Sequence, residues 1–475
     1  MKLWQVTASV LMMCCCTRMS SAAEPVLIAI GSVNGLYEDF SAETAGRLAN
    51  GVPGNRLGGI GSGLAHLGGD WFVAIPDRGP NAVSYNACMD DTVSFINRFH
   101  TLHLSLSPSD PGSALPFTLT PMLAATTLLS SRSPLVYGAG CGTVGSGVPA
   151  LNAVDHTFYF TGRSDNFDAS RTSTNPRDAR FDAEGIRVSN DRRSVYISDE
   201  YGPYVYEFDR FTGERLRVFT LPDKFAISHL SAASNDEITG NTAGRVTNKG
   251  MEGLAITPDG RTLVGAMQSP LLQDGGDVKG GVTRIVAIDI RTGKTREYAY
   301  QLDTGTKTTI SEILAINDHQ FLVDERDSKG RADAPGSKAA FKKLFIVDIE
   351  FAKDISGLTG AAAIAPYALL KTLFLDIVNG LRIAPASLDP TQIPAKLEGI
   401  SFGEDVTYAD PATKQAVTRH TLFVSNDNDF LATFDGQDNP NQFFVFAFDD
   451  ADLPDFVPQR FHQRRDDDHD DHDDR

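Results

Sequence analysis

Three observations predict an all-β fold, a six-bladed β-propeller. A strand–turn–strand unit recurs along the chain. A Glu or Ser ahead of a small or apolar residue opens most copies. Hairpin pieces such as Glu207-Phe208-Asp209 with Thr212-Gly213, and Ile288-Asp289-Ile290 with Thr292-Gly293, follow the copies and extend each unit to four short strands. Several such four-stranded units in series are the signature of a propeller. The composition agrees: 475 residues, 41% hydrophobic and 22% charged, excludes a mainly disordered chain, a collagen or a coiled coil.

In chain order, the first copy runs from Ser62-Gly63-Leu64 to Trp71-Phe72-Val73-Ala74-Ile75 and ends in Asp77-Arg78; Ser62 stands where other copies carry Glu. Phe158-Tyr159-Phe160-Thr161-Gly162-Arg163 supplies the sixth unit. The next copy opens with Asp182-Ala183-Glu184-Gly185-Ile186, turns at 190–193, and closes in Asp199-Glu200-Tyr201-Gly202. Met251-Glu252-Gly253-Leu254 leads through Pro258-Asp259-Gly260 to Gln268. Ser311-Glu312-Ile313 leads through Asn317-Asp318 to Asp324-Glu325-Arg326. Leu397-Glu398-Gly399-Ile400 resumes at 421–425 and ends in Asn426-Asp427-Asn428. The copies lie further apart than the roughly 40–50 residues of compact propeller repeats, so loops are inserted. One insertion, about 357–396, holds a stretch at 366–379 with helical periodicity, closed by Gly380. Its Lys371 and Asp376 argue against a membrane span.

The two ends read differently from the body, 24–458. Residues 1–23 have a positive start, an apolar stretch and the small-residue site Ser21-Ala22-Ala23, the pattern of a secretory signal. A secreted or periplasmic protein is expected; Leu11-Met12-Met13-Cys14 leaves a lipoprotein anchor as a minor alternative. Cys88 and Cys141 remain in the mature chain, to form one disulfide or stay as two thiols. Residues 459–475 end in an Asp/His run that cannot build a core and is expected to be disordered. The excess of 61 acidic over 43 basic side chains, net −18, argues against nucleic acid and anionic membranes as partners. It suits cations, or an anionic substrate arriving with them. A monomer is expected.

Inner strands of a propeller line one channel, so equivalent positions converge. Glu184, Glu252, Glu312 and Glu398 should form a carboxylate ring near one mouth, with Asp77, Glu200, Gln268, Glu325 and Asp427 as a second set. Carboxylates held close need compensation, and calcium, with its 6–8 oxygen ligands, suits such a ring. The alternative for any one Glu is a local duty: capping backbone N–H groups or pairing with an Arg. Arg78, Arg163, Arg326 and Lys249 stand beside the repeat elements, able to bind an anion. The chain lacks a Cys/His zinc pattern and a Gly-x-Ser-x-Gly elbow. Its stretch Gly58-Gly59-Ile60-Gly61-Ser62-Gly63 lacks the Lys of a P-loop.

Asp77-Arg78-Gly79-Pro80-Asn81, Glu184-Gly185-Ile186, Ser198-Asp199-Glu200-Tyr201-Gly202, Met251-Glu252-Gly253-Leu254, Gln268-Ser269-Pro270, Glu398-Gly399-Ile400 and Ser425-Asn426-Asp427-Asn428 together resemble the phytase-like family of exported bacterial proteins, described as having esterase-like activity of phytase. The resemblance spans roughly 55–448 and implies a propeller and a hydrolase. The related β-propeller phytases hold calcium and hydrolyse phosphate monoesters, but their catalytic positions do not carry over residue by residue. The expectation is an exported calcium-dependent hydrolase of phosphate esters. Glu184, Glu252, Glu312 and Glu398 would hold metal, and Arg78, Arg326 and Glu200 would act in catalysis. Arg163, Lys249 and Gln268 would bind substrate. A lactone or other ester hydrolase, and a non-catalytic calcium-stabilised envelope propeller, are the alternatives.

Overall fold

The computed structural model describes residues 24–461, apart from 81, 87–88, 92–93, 139–146 and 411–412. The expected signal at 1–23, both cysteines and the tail from 462 onward lie outside the described residues.

Five antiparallel blades built on four strands each are found among the described residues, not six; the fifth also carries Val406–Ala409, paired to its second strand. Blade I is Gly63–Gly68, Trp71–Ile75, Arg98–Pro108 and Phe117–Leu128. Blade II is Ala183–Val188, Ser194–Asp199, Tyr204–Asp209 and Arg215–Thr220. Blade III is Met251–Ile256, Thr262–Met267, Val282–Asp289 and Thr295–Gln301. Blade IV is Thr309–Ala315, Gln320–Arg326, Lys342–Asp348 and Lys371–Asp376. Blade V takes Leu397–Phe402, Ala416–Asn426 and Asn441–Phe448 from the end of the chain and Val26–Val33 from its start.

The expected sixth unit yields only the two-residue strand Phe158–Tyr159, paired with Ser130–Ser131. Phe160 is instead buried in the core between blades I and II, among Phe181, Tyr206 and Phe208. The helix expected at 366–379 is also corrected. Lys371–Asp376 is the outermost strand of blade IV, flanked by the short helices Ala361–Ile364 and Ile377–Arg382. Phe374 and Leu375 are buried against blades IV and V, and pairing along Lys342–Asp348 outweighs the local helical pattern. Asp376 caps the second helix by accepting from the Asn379 amide at 3.0 Å. No helix is long and apolar enough to cross a membrane among the described residues.

Each junction between blades has its own apolar core. Val73, Phe99, Ile186 and Ile197 fill I–II; Val205, Phe219, Leu254 and Leu263 fill II–III. Val264, Ile285, Ile313 and Phe321 fill III–IV; Leu322, Leu344, Ile400 and Phe444 fill IV–V; Ile28, Phe72, Leu102 and Val445 close V–I. Successive residues of a strand point to opposite faces, so one strand serves two junctions. Inner strands approach tightly where the sequence places Gly. A Cβ on Gly253 would lie 2.7 Å from the Ile313 backbone nitrogen, and one on Gly185 would lie 2.6 Å from that of Leu254.

Residues 456–461 cross the opposite mouth of the channel. The Val457 amide donates to the Ile316 carbonyl at 2.9 Å, Gln459 Nε2 donates to the Val188 carbonyl at 2.8 Å, and Phe461 lies against Arg192. Packed chain therefore reaches past 459, where disorder was expected to begin.

Candidate functional site

The inner strands of blades II, III and V carry a β-bulge at their glutamate. Register shifts fall between Ala183 and Ile186, Met251 and Gly253, and Leu397 and Ile400. A bulge takes a residue out of the ladder and re-aims its side chain. Glu184, Glu252 and Glu398 accordingly converge on one cavity of about 470 Å³ at the channel mouth. Asp77, Arg78, Glu200, Lys249, Gln268, Arg326 and Asp427 line the same cup.

Glu312 does not join them. In blade IV the bulge falls on Ser311, and Glu312 stays in the ladder opposite Asp324. Its Oε1 accepts from the amides of Leu254 and Ile313 at 2.8 and 2.9 Å, and its Oε2 lies 3.1 Å from Arg187 Nη2. This is the local duty that the ring reading set aside. Ser311 takes the ring position and accepts from Arg326 Nε at 2.5 Å. Glu325 also turns away, to Lys371 and Thr308, both at 2.6 Å. Arg163 lies outside the cup as well. It pairs with Asp165 at 2.5 Å in the loop before blade II and is buried there.

The cup holds two carboxylate triads. One oxygen each from Asp182, Glu184 and Glu200 lies within 4.8 Å of the others, and Asp77, Asp427 and Asp429 are grouped as closely. Arg78 Nη1 donates to Asp182 Oδ2 at 2.6 Å and also to Asn248. Lys396 Nζ donates to Asp427 at 2.7 Å and Asp429 at 2.5 Å. Arg326 pairs with Glu398. Lys249 donates to Gln268 Oε1 at 3.2 Å. Glu200 Oε1 accepts from the Gly250 amide at 2.9 Å, and the Glu252 carboxylate is its neighbour.

Glu184 differs from all of these. It is buried, and no hydrogen bond or ion pair reaches its carboxylate among the described residues. Burial, then the carboxylates of Glu252, Asp182, Glu200 and Asp77, push its pKa well up. Glu252 is raised in the same way, by burial and then by Glu200 and Glu398, and its Oε2 has no hydrogen-bond partner. Burial carries Glu200 up to about 7, with Asp182 adding to the rise. Burial also lifts Asp427 to about 7, against the pull of Lys396. Oxygen donors held this closely, with one carboxylate lacking any positive partner, suit a hard cation.

The sequence reading missed Asp182, Asn248, Lys307, Lys329 and Lys396, all placed in or beside the cup. Two of them had a signal. Asp182 and Lys396 each stand two residues ahead of a ring glutamate, a spacing that returns to the same side of a strand.

The family model described as "Esterase-like activity of phytase" matches residues 55–430. The chain belongs to this phytase-like family. A curated relative, an uncharacterized secreted protein of Arthroderma benhamiae, is 30% identical over 338 residues. The match covers 62% of this phytase-like chain and 64% of the relative, so the chain spans less than two thirds of that protein. Among solved structures, the periplasmic gluconolactonase of Pseudomonas aeruginosa is similar at 12% identity, with 89% of this chain and 98% of that chain covered and a TM-score of 0.31. A putative 6-phosphogluconolactonase from Bacteroides uniformis gives 12% identity, 89% and 100% coverage, and a TM-score of 0.30.

Proposed function

We propose that this phytase-like chain is an exported hydrolase of phosphate esters, working in the cup with a divalent cation, calcium, held by Asp182, Glu184 and Glu200. The observation that carries this reading is the buried Glu184 carboxylate, which has carboxylate neighbours and no positive partner. An ion there removes the like-charge repulsion and leaves the donor set all-oxygen, which favours calcium over zinc. The family's description supports a hydrolase.

When bound, the cation supplies Lewis acidity toward a phosphoryl oxygen or a water. The chain's own groups do the rest. Arg326 and Arg78, each fixed by a carboxylate, offset charge on the phosphoryl oxygens. Lys249 and Gln268, joined to each other, meet the outer part of the substrate. Water adds to phosphorus as the ester P–O bond breaks. Glu252, through its unpartnered Oε2, takes the water proton and returns it to the departing oxygen.

The test is a panel of phosphate monoesters, carboxylic esters and lactones, assayed with chelator and with calcium restored. Phosphate release that chelator abolishes and calcium returns is the expected result. Turnover confined to lactones or carboxylic esters would replace the substrate class. No turnover at all, with calcium still raising thermal stability, would make the protein a binding propeller.

A further inference from the structure

The cup's two carboxylate triads differ in how their charge is met. Both consist of three carboxylates with oxygens within 4.8 Å of one another. In the Asp77–Asp427–Asp429 triad a lysine already occupies the place of a cation. Lys396 Nζ is 2.7 Å from Asp427 Oδ2 and 2.5 Å from Asp429 Oδ1. Other oxygens there are engaged by backbone amides: Asp427 Oδ1 accepts from the Asp429 amide at 2.6 Å, and Asp77 Oδ1 accepts from the Gly79 amide at 2.9 Å. The turn that holds Asp427 and Asp429 is set. Asp429 and Phe430 both adopt left-handed backbone, φ 52° and 56°, a costly pair for residues other than Gly. Asn428 pins that turn by accepting from the amides of Gly59 at 2.8 Å and Phe430 at 3.1 Å.

In the Asp182–Glu184–Glu200 triad the internal cation stands at one corner: Asp182 Oδ2 accepts from Arg78 Nη1 at 2.6 Å and its Oδ1 from the Arg78 amide at 3.2 Å, while Glu200 Oε1 accepts from the Gly250 amide at 2.9 Å. Arg78 reaches Asp182, while Glu184, more than nine-tenths buried, has no partner among the described residues. Glu252 Oε2, equally buried in the same cup, also has none.

We infer that the cup takes one divalent ion, on its Asp182–Glu184–Glu200 side, because Lys396 is the built-in cation of the Asp77–Asp427–Asp429 triad. The inference rests on the cation reading proposed above and adds its stoichiometry. An ammonium satisfies two carboxylates through N–H donation and repels a second metal ion. It also gives the cup a fixed positive group that cannot be chelated away, so part of its attraction for anions survives metal removal.

Calcium binding to the purified full-length chain, counted by equilibrium dialysis and by calorimetry, tests this. The count is read as a difference between variants, which cancels ions held elsewhere, such as on the acidic tail. Glu184→Gln is expected to lose one ion per chain, and Asp429→Asn to lose none. Lys396→Met is expected to gain one ion and to acquire a melting temperature that rises with calcium more steeply than the wild type's, while Lys396→Arg keeps the wild-type count. Loss of an ion in both Glu184→Gln and Asp429→Asn would overturn the single-ion inference and leave the cation reading standing. No loss in Glu184→Gln would remove the cation reading itself. A folded Lys396→Met chain with an unchanged count would also overturn the inference. Should that variant not fold, the Glu184→Gln and Asp429→Asn pair decides alone.

Discussion

Arg187 and Glu312 face each other across the propeller axis, with Nη2 and Oε2 3.1 Å apart and both side chains buried. Arg187 also donates to the Leu64 carbonyl of blade I at 2.8 Å and the Ile313 carbonyl of blade IV at 2.9 Å. One side chain from blade II thus joins three inner strands. It also lines the cavity at the opposite mouth. Burial pushes the Glu312 carboxyl up to about 7 despite the guanidinium beside it, so desolvation outweighs the pair.

Removing one partner strands the other in the interior. Arg187→Met should lower stability by about 3 kcal/mol or more. Arg187→Met with Glu312→Leu should cost less than Arg187→Met alone. Denaturant unfolding of both chains measures the difference; equal or larger loss in the double variant would show that the pair's charge is not what matters.

Glu184→Gln has an unusual sign. In chelator it should raise the melting temperature, because it removes a buried charge that has only carboxylate neighbours. With calcium it should lose the stabilisation that the wild type gains on binding. Thermal scans in chelator and in calcium check both halves.

His100 gives a pH dependence away from the cup. It is buried on blade I, 3.1 Å from Thr126 Oγ1, and burial lowers its pKa from 6.5 to about 4. The unfolded chain therefore takes up the proton first. Stability from a neutral His100 is intact above pH 6.5 and is lost as pH falls toward 4, by roughly 3 kcal/mol. His100→Gln should remove this slope, so its stability curve and the wild type's should converge as pH drops through that window.

Gly253→Ala tests the spacing of the blades. The new Cβ would meet backbone atoms of Ile313 and Glu312 at 2.7 and 2.8 Å, and backbone cannot step aside as a side chain would. A loss of about 1–3 kcal/mol or more is expected. Gly46→Ala, with nothing within 4 Å, should stay within about 0.5 kcal/mol of the wild type.

The propeller was legible because its evidence is repetitive: each copy places apolar residues at strand period between turn residues. The blade count was not. Phe158-Tyr159-Phe160 has the composition of a strand, and only the tertiary surroundings show Phe160 filling a junction rather than starting a blade. The helical period at 366–379 lost to strand pairing for a similar reason. The site was legible through Glu-Gly, which marks both the bulge and the close approach of neighbouring strands. The error at Glu312 was in alignment, not in chemistry. Matching Ile313 to Ile186, Leu254 and Ile400 puts Ser311 opposite the other glutamates, as Ser62 is in blade I. Lys396 and Asp182 were missed, although each stands two residues ahead of a ring glutamate. Lys307 comes from the loop between blades III and IV and Lys329 from the long loop between the second and third strands of blade IV, where no period places a side chain.

The seam of blade V joins Val26 to Ala447 and Val33 to Asn441. No early contact can stand in for it, since the partners lie at opposite ends of the sequence. Without that pairing Asn441–Phe448 presents a bare ladder edge, and the core of the blade V–I junction, between Asp77 and Asp427, lacks Ile28, Ala29 and Val33. Withholding the amino-terminal strand would therefore loosen the junction that stands between Asp77 and Asp427, at a site to which that strand contributes no side chain.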